Sequence, residues 1–267
     1  MQIDQVAPRV ITTIENHIAH VRMARPEKMN AIDMAMFAGL VAAGEELAQN
    51  SDIRAIVLSG DGRSFCAGID VSVLGGIGGT VQDITARTHA DCNIFQRAVM
   101  IWRDLKVPVI AAVHGVAYGG GFQIALGADI RIIHPAAKLS VMEIKWGICP
   151  DMGGTYLMGK LAREDVVREL TYTGRIFLGE EANILGFATH LSEDPLVAAM
   201  ALANEIASKS PSAIAACKAL INGSDANSRS EQLLQEAQQQ QALLKGAHHK
   251  EAVLAGMANQ PANFSRL

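Results

Sequence analysis

The sequence predicts an α/β fold with largely parallel strand pairing. Three observations carry that expectation. Short runs rich in Val and Ile alternate with longer segments whose apolar residues recur at helical spacing. Two of those runs lead into glycine-centred turns. Beyond about residue 195, Ala, Leu, Gln and Lys dominate and no β-rich run remains.

The elements follow in order. Residues 9–14 and 18–23 flank Glu15-Asn16-His17 and read as a hairpin. Asp33 is placed to cap a helix over 34–49, where Phe37, Leu40, Val41, Gly44, Leu47 and Ala48 form one apolar face. A buried strand at 55–59 ends in the turn Gly60-Asp61-Gly62, and the Gly-rich stretch 72–80 reads as a loop. A long helix is expected over 82–105. The strand at 108–113 leads to Gly115 and then to Gly119-Gly120-Gly121, where another helix begins. Strands at 129–133 and near 138–142 complete the pattern. From 196 to 267 only helices are expected, with Gln238 to Gln241 on a solvated face.

Composition narrows the function. The chain has 267 residues, enough to bury a large core, and is 49% apolar and 19% charged, as folded proteins are. A net charge of −4 gives no reason to expect nucleic acid or an anionic membrane as partner. The four cysteines, Cys66, Cys92, Cys149 and Cys217, form no CxxC pair, which argues against a disulfide framework or a zinc site. Residues 1–25 alternate polar and apolar without the pattern of a signal or transit peptide, and no apolar run reaches the ~18 residues of a membrane span. The expected location is the cytoplasm.

Two glycine turns stand out as candidate chemistry: Gly62 to Asp70 (GRSFCAGID) and His114 to Gln123 (HGVAYGGGFQ). Glycine permits positive φ and close approach of backbone to a ligand, and free N–H groups at a helix start favour negative charge. No GxxxxGK[ST], GxGxxG or GxSxG motif competes with them. His114, at a strand end, reads as a hydrogen-bonded structural histidine. His248-His249 lacks partners at ligand spacing and is expected on the surface.

Four segments, RPEKMNAID (25–33), GRSFCAGID (62–70), VPVIAAVHGVAYGGGFQIALGADIRI (107–132) and EIKWGICPDMGGT (143–155), resemble the signatures of the crotonase superfamily in order and spacing. The resemblance spans roughly residues 9–195. It implies a spiral of ββα units as an acyl-CoA-binding catalytic core (1–195), and a C-terminal helical trimerisation region (196–267). It further implies a homotrimer or a dimer of trimers. No metal or redox cofactor is implied; coenzyme A enters as part of the substrate.

Carried over position by position, the resemblance makes the amides of Ile69 and Gly120 an oxyanion hole for a thioester enolate. Ala67, Gly68, Asp70, Val71 and Ser72 would line the acyl-CoA channel, with Gln123 beside the substrate. Arg25 and Lys28 are candidate phosphate contacts. Hydratases of this family use two glutamates; here the first position is Gln123, which exchanges no proton, and the second is Glu143. Asp151 stands where hydratases usually carry glycine. The pairing of Glu143 with Asp151 resembles dienoyl-CoA isomerases, although those also carry an acid at the position of Gln123. A Δ3,Δ2-enoyl-CoA isomerase would work with Glu143 alone. A halobenzoyl-CoA dehalogenase would want tryptophan at position 143 and histidine at 96. The sequence thus favours double-bond migration over water addition, with hydration as the alternative and a non-catalytic binding protein as the alternative of another class. The apolar neighbours Phe122, Met142, Trp146, Ile148 and Met152 are placed to raise a carboxyl pKa by desolvation.

Overall fold

The computed structural model describes residues 8–71 and 83–264. The hairpin forms between β1 (Val10–Glu15) and β2 (Ile18–Met23), with Glu15 opposite Ile18. Asn16 and His17 both take positive φ, 49° and 67°. That is the turn whose twist matches the flanking strands. Parallel strands β3 (Ala55–Gly60), β4 (Val109–Val113) and β6 (Ile130–Ile133) extend this sheet, with β9 (His190–Leu191) at the far edge. Strands β3 and β4 are buried throughout, as strands covered on both faces must be. A second sheet has the order β5-β7-β8, from Val116–Tyr118, Lys138–Ser140 and Phe177–Leu178.

Helix α1 (Met34–Ala48) starts where expected, because the Asp33 side chain accepts from Met36 N at 2.8 Å. The helix expected over 82–105 is shorter: α2 spans Ile94–Asp104. Asn93 sets its start with a capping box, accepting from Gln96 N at 2.9 Å while Gln96 Oε1 accepts from Asn93 N at 3.2 Å. Residues 83–93 run as turns, one closed by Asp83 accepting from Thr85. The glycine-rich stretch 72–80, including Ser72, lies outside the described residues.

Helix α3 (Gly120–Gly127) begins within the glycine triplet, with Gly119 as its cap, and is buried along its whole length. After it come α4 (Gly154–Met158), α5 (Glu164–Thr173), α6 (Gly179–Leu185), α7 (Pro195–Ala207), α8 (Pro211–Gly223), α9 (Arg229–Leu244) and α10 (Ala247–Met257). The main sheet divides the core into two layers. On one face Ile56, Leu58 and Ala111 pack with Phe37, Trp102 and Phe122 of α1, α2 and α3. On the other, Ala55, Val57, Ile110 and Ile132 are covered by Ala199, Ala203 and Ala207 of α7. The first helix beyond residue 195 therefore completes the sheet.

Helix α8 is tied to the core by Lys218, whose Nζ donates to Asp129 Oδ2 at 2.7 Å and to Val107 O at 2.9 Å. His248 corrects a sequence expectation. It is buried, not exposed, bonded to Ser212 Oγ at 3.0 Å and packed edge-on against Phe264, because α10 folds back over the start of α8. His249 is exposed.

Candidate active site

The two glycine turns are stitched side by side. Phe65 N donates to His114 O, Cys66 N to Val116 O at 3.0 Å, and Tyr118 N to Cys66 O at 3.1 Å. Gly68 turns the chain at φ +88°, and its carbonyl accepts from Ile32 N while Asp70 N donates to Ile32 O. These two bonds bracket Ile69. Gly119 takes φ +50° and its N–H goes to Ser140 O at 3.0 Å, so Gly120 becomes the first residue of α3, where a helix leaves its N–H groups unpaired. Among the described residues, no carbonyl accepts from the amides of Ile69 or Gly120. Both residues line a cavity of 80 Å³ together with Ala67, Gly68, Tyr118 and Glu143.

Glu143 opens the short 3-10 turn Glu143–Trp146 and is buried, with 6% of its surface exposed. Its Oε1 accepts from Gln123 Nε2 at 2.6 Å, while Oε2 has no hydrogen-bond partner among the described residues. Burial pushes its carboxyl pKa up; the Asp151 charge adds to the rise and the Gln123 donor opposes it. Asp151 lines an adjoining cavity of 750 Å³, walled by Phe37, Ile84, Phe95, Ile144 and Met152. Desolvation raises its pKa as well. Ile69 and Ile148 line both cavities, so the two acids lie in one neighbourhood of adjoining, mostly apolar cavities. Two acids in such a region, next to unpaired amides, are equipped to move protons beside a developing oxyanion.

The remaining sequence-predicted residues divide. Val71 lines the smaller cavity with Ala67 and Gly68. Gln123 lines neither cavity: it is buried behind Glu143, and its Oε1 accepts from Met152 N at 3.0 Å and Gly154 N at 2.9 Å. Arg25 is turned inward, donating to Asp70 Oδ2 at 2.7 Å and to Ala31 O at 2.9 Å. Its charge and that of Asp70 are thereby engaged with each other, whereas Lys28 is exposed. His114 is the expected structural histidine, its Nε2 2.9 Å from Gly62 O.

Sequence reasoning passed over Asn30. Fully buried, it donates from Nδ2 to Asp61 O, Ser64 O and Phe65 O, and its Oδ1 accepts from Arg25 N. It fixes the first glycine turn against the end of the hairpin. Its left-handed backbone, φ +55°, beside Met29 at φ +51°, is the kind of position Asn tolerates, and that was the available signal. No cluster of metal-ligating side chains occurs among the described residues.

The family model for enoyl-CoA hydratase/isomerase matches residues 13–265. Among curated relatives, the mitochondrial Δ(3,5)-Δ(2,4)-dienoyl-CoA isomerase of Rattus norvegicus is 34% identical over 217 residues, covering 78% of this chain and 66% of that enzyme. The 1,2-epoxyphenylacetyl-CoA isomerase of Escherichia coli K12 is 29% identical over 259 residues, 96% of this chain and 98% of that one. Two solved structures share the fold closely. An enoyl-CoA hydratase from Polaromonas sp. JS666 superposes with TM-score 0.88 at 25% identity, over 96% of this chain and 99% of that one. An enoyl-CoA hydratase from Mycobacterium tuberculosis H37Rv gives 0.86 at 26%, over 97% and 99%. With the fold, the paired glycine turns and the match over nearly the whole length in agreement, the chain belongs to the enoyl-CoA hydratase/isomerase, or crotonase, family.

Proposed function

We propose that this enzyme moves a double bond in an enoyl- or dienoyl-CoA thioester by carboxylate proton transfer. The observation that carries the reading is the environment of the three proton-transfer positions. Glu143 and Asp151 line adjoining, mostly apolar cavities that share Ile69 and Ile148, while Gln123 lines neither cavity and is held by three hydrogen bonds. Water addition beside the thioester would draw on a second acid where Gln123 stands.

In the proposed reaction one carboxylate enters ionised and the other protonated, since burial and mutual repulsion disfavour two charges in this space. The ionised group takes a proton from a carbon of the acyl chain. The electron pair moves toward the thioester oxygen, and the amides of Ile69 and Gly120 receive the negative charge. The protonated acid then delivers its proton to a carbon further along the conjugated system, and the double bond shifts. Exchange with water resets the pair. These groups supply the proton transfer and charge stabilisation without a metal or redox cofactor.

The substrate class is supported by the dienoyl-CoA and epoxyphenylacetyl-CoA isomerases among the relatives. The assembly is proposed to be a homotrimer or a dimer of trimers through the C-terminal helices. Support comes from exposed Leu233, Leu234, Leu254 and Met257 on α9 and α10, an apolar surface of the kind that partners cover. A cytoplasmic location is proposed on the free, exposed thiols of Cys149 and Cys217.

The test is a parallel assay on a 2-enoyl-CoA, a 3-enoyl-CoA and a 3,5-dienoyl-CoA, with products followed by mass and absorbance. Migration of the double bond without gain of mass is the expected result. Efficient gain of water on the 2-enoyl-CoA would overturn the reading in favour of a hydratase.

A further inference from the structure

The Gln123 amide is engaged at both ends by the two segments that carry the acids. From α3, its Nε2 donates to Glu143 Oε1 at 2.6 Å. Its Oε1 accepts from Met152 N at 3.0 Å and Gly154 N at 2.9 Å, immediately beyond Asp151. The side chain is 1% exposed, so these bonds form away from competing water. With Oε1 of Glu143 occupied, Oε2 is the oxygen left without a partner among the described residues, in a side chain that lines the cavity.

The surrounding backbone preserves this arrangement. A side chain at position 154 would bring its first carbon within 2.5 Å of Gln123 Oε1. One at position 119 would reach 3.3 Å from Glu143 Oε1. Glycine at both places leaves the amide and the carboxylate room to meet.

We propose that Gln123 is a positioning residue: one amide fixes which oxygen of Glu143 exchanges the proton and holds the Asp151 segment in register with it. The inference rests on the proton-transfer role proposed for Glu143. A glutamate at 123 would keep the acceptor for Met152 and Gly154 but turn a donor into a repelling charge. An apolar residue would strand three buried polar groups at once. Glutamine offers a neutral acceptor and a donor at every pH, whereas a glutamate keeps its donor only while protonated.

Two variants test it: Gln123→Glu, and Gly154→Ala, which displaces the amide without adding or removing a titratable group. Position 154 is not in the left-handed region, so alanine carries no backbone strain there. In both, kcat is expected to fall about tenfold to a hundredfold, as for a misplaced catalytic group, with KM little changed. The acid limb of the kcat/KM profile is expected to move up by about one pH unit, because the donor that favours ionised Glu143 is lost. Butyryl-CoA binding by calorimetry monitors the folded site. An unmoved acid limb in both variants overturns the proposal, as does conversion of Gln123→Glu into an efficient hydratase, which would place position 123 against substrate. Loss of butyryl-CoA binding in both assigns the contacts to the structural frame and overturns it too. Should the wild type prove to be a hydratase, the isomerase reading fails by itself. The acid limb of hydration then still tests the positioning role.

Discussion

Gly68 lies so close to Tyr118 that the first carbon of any side chain at 68 would sit 2.6 Å from the Tyr118 carbonyl oxygen. The same point is 3.8 Å from Gly120 N, so this contact sets the spacing of the two glycine turns. With φ at +88°, alanine there is strained as well as crowded, and the obstacle is backbone, which has no rotamer to yield. Gly68→Ala is expected to part the Ile69 and Gly120 amides. The predicted cost is about 10²–10³ in kcat/KM, the effect of losing one oxyanion donor. Thermal unfolding should show a loss of about 1–3 kcal/mol from the forced backbone. Wild-type turnover in a Gly68→Ala protein would remove the two turns from the mechanism.

Glu143 gives a prediction that links activity to stability. Replacing the carboxylate with an amide in Glu143→Gln should lower turnover by about 10²–10⁴, as for loss of a proton-transfer group, and spare butyryl-CoA binding. Burial raises this carboxyl above its ordinary value of 4.5, so the folded protein holds the proton more tightly than the unfolded chain. The stability from Glu143 is therefore full below the unfolded pKa and is lost as pH rises through the folded one. Glu143→Gln has no such loss. Its melting temperature relative to wild type should rise as pH increases above the ordinary carboxyl value of 4.5. A difference that stays constant with pH would show that ionised Glu143 costs the fold nothing.

Asp151 separates the two isomerase chemistries. A 3,5-dienoyl thioester needs a proton taken at C2 and returned at the far end of the diene, whereas a simple 3-enoyl thioester needs it moved only from C2 to C4, a span one carboxylate can serve. Asp151 lines the larger apolar cavity and Glu143 the smaller, which suits an acid at each end of an extended system. Asp151→Asn should reduce 3,5-dienoyl-CoA isomerisation by about 10²-fold or more, and 3-enoyl-CoA isomerisation much less. Equal, small effects on both substrates would make Asp151 a structural residue.

What the sequence disclosed depends on how local each signal is. Asp33 announces α1 because cap and recipient amide are three residues apart, and the burial of β3 and β4 is written in continuous apolar runs. The start of α2 is as local, in the capping box of Asn93 and Gln96. The glycine triplet and Glu143 stood out as motifs. The bond between Gln123 and Glu143 spans 20 residues, and that between Arg25 and Asp70 spans 45. Nothing in local pattern tells that Gln123 is buried behind a carboxylate, or that Arg25 is ion-paired. His248 was misread for the same reason: its partners, Ser212 and Phe264, meet it only once α10 folds back.

The exposed leucines of α9 and α10 make the assembly testable. Leu233 and Leu234 are 53% and 58% exposed, and Leu254 and Met257 are 65% and 83% exposed, while α9 has no buried residue at all. A helix this open gains little from its own chain, and in the proposed assembly its apolar residues would be covered by a second copy. Light scattering on the eluting protein should give a mass near three or six times the 28.4 kDa chain. Paired Leu233→Glu and Leu234→Glu substitutions place two charges where that interface would exclude water, and a buried unpaired charge costs several kcal/mol. The variant should elute as a smaller species at the same concentration. It should keep its helical circular dichroism, since neither leucine is buried in the monomer. A wild-type protein that elutes as a single chain would sink the proposed assembly, and an unchanged oligomer in the variant would move the interface to another surface.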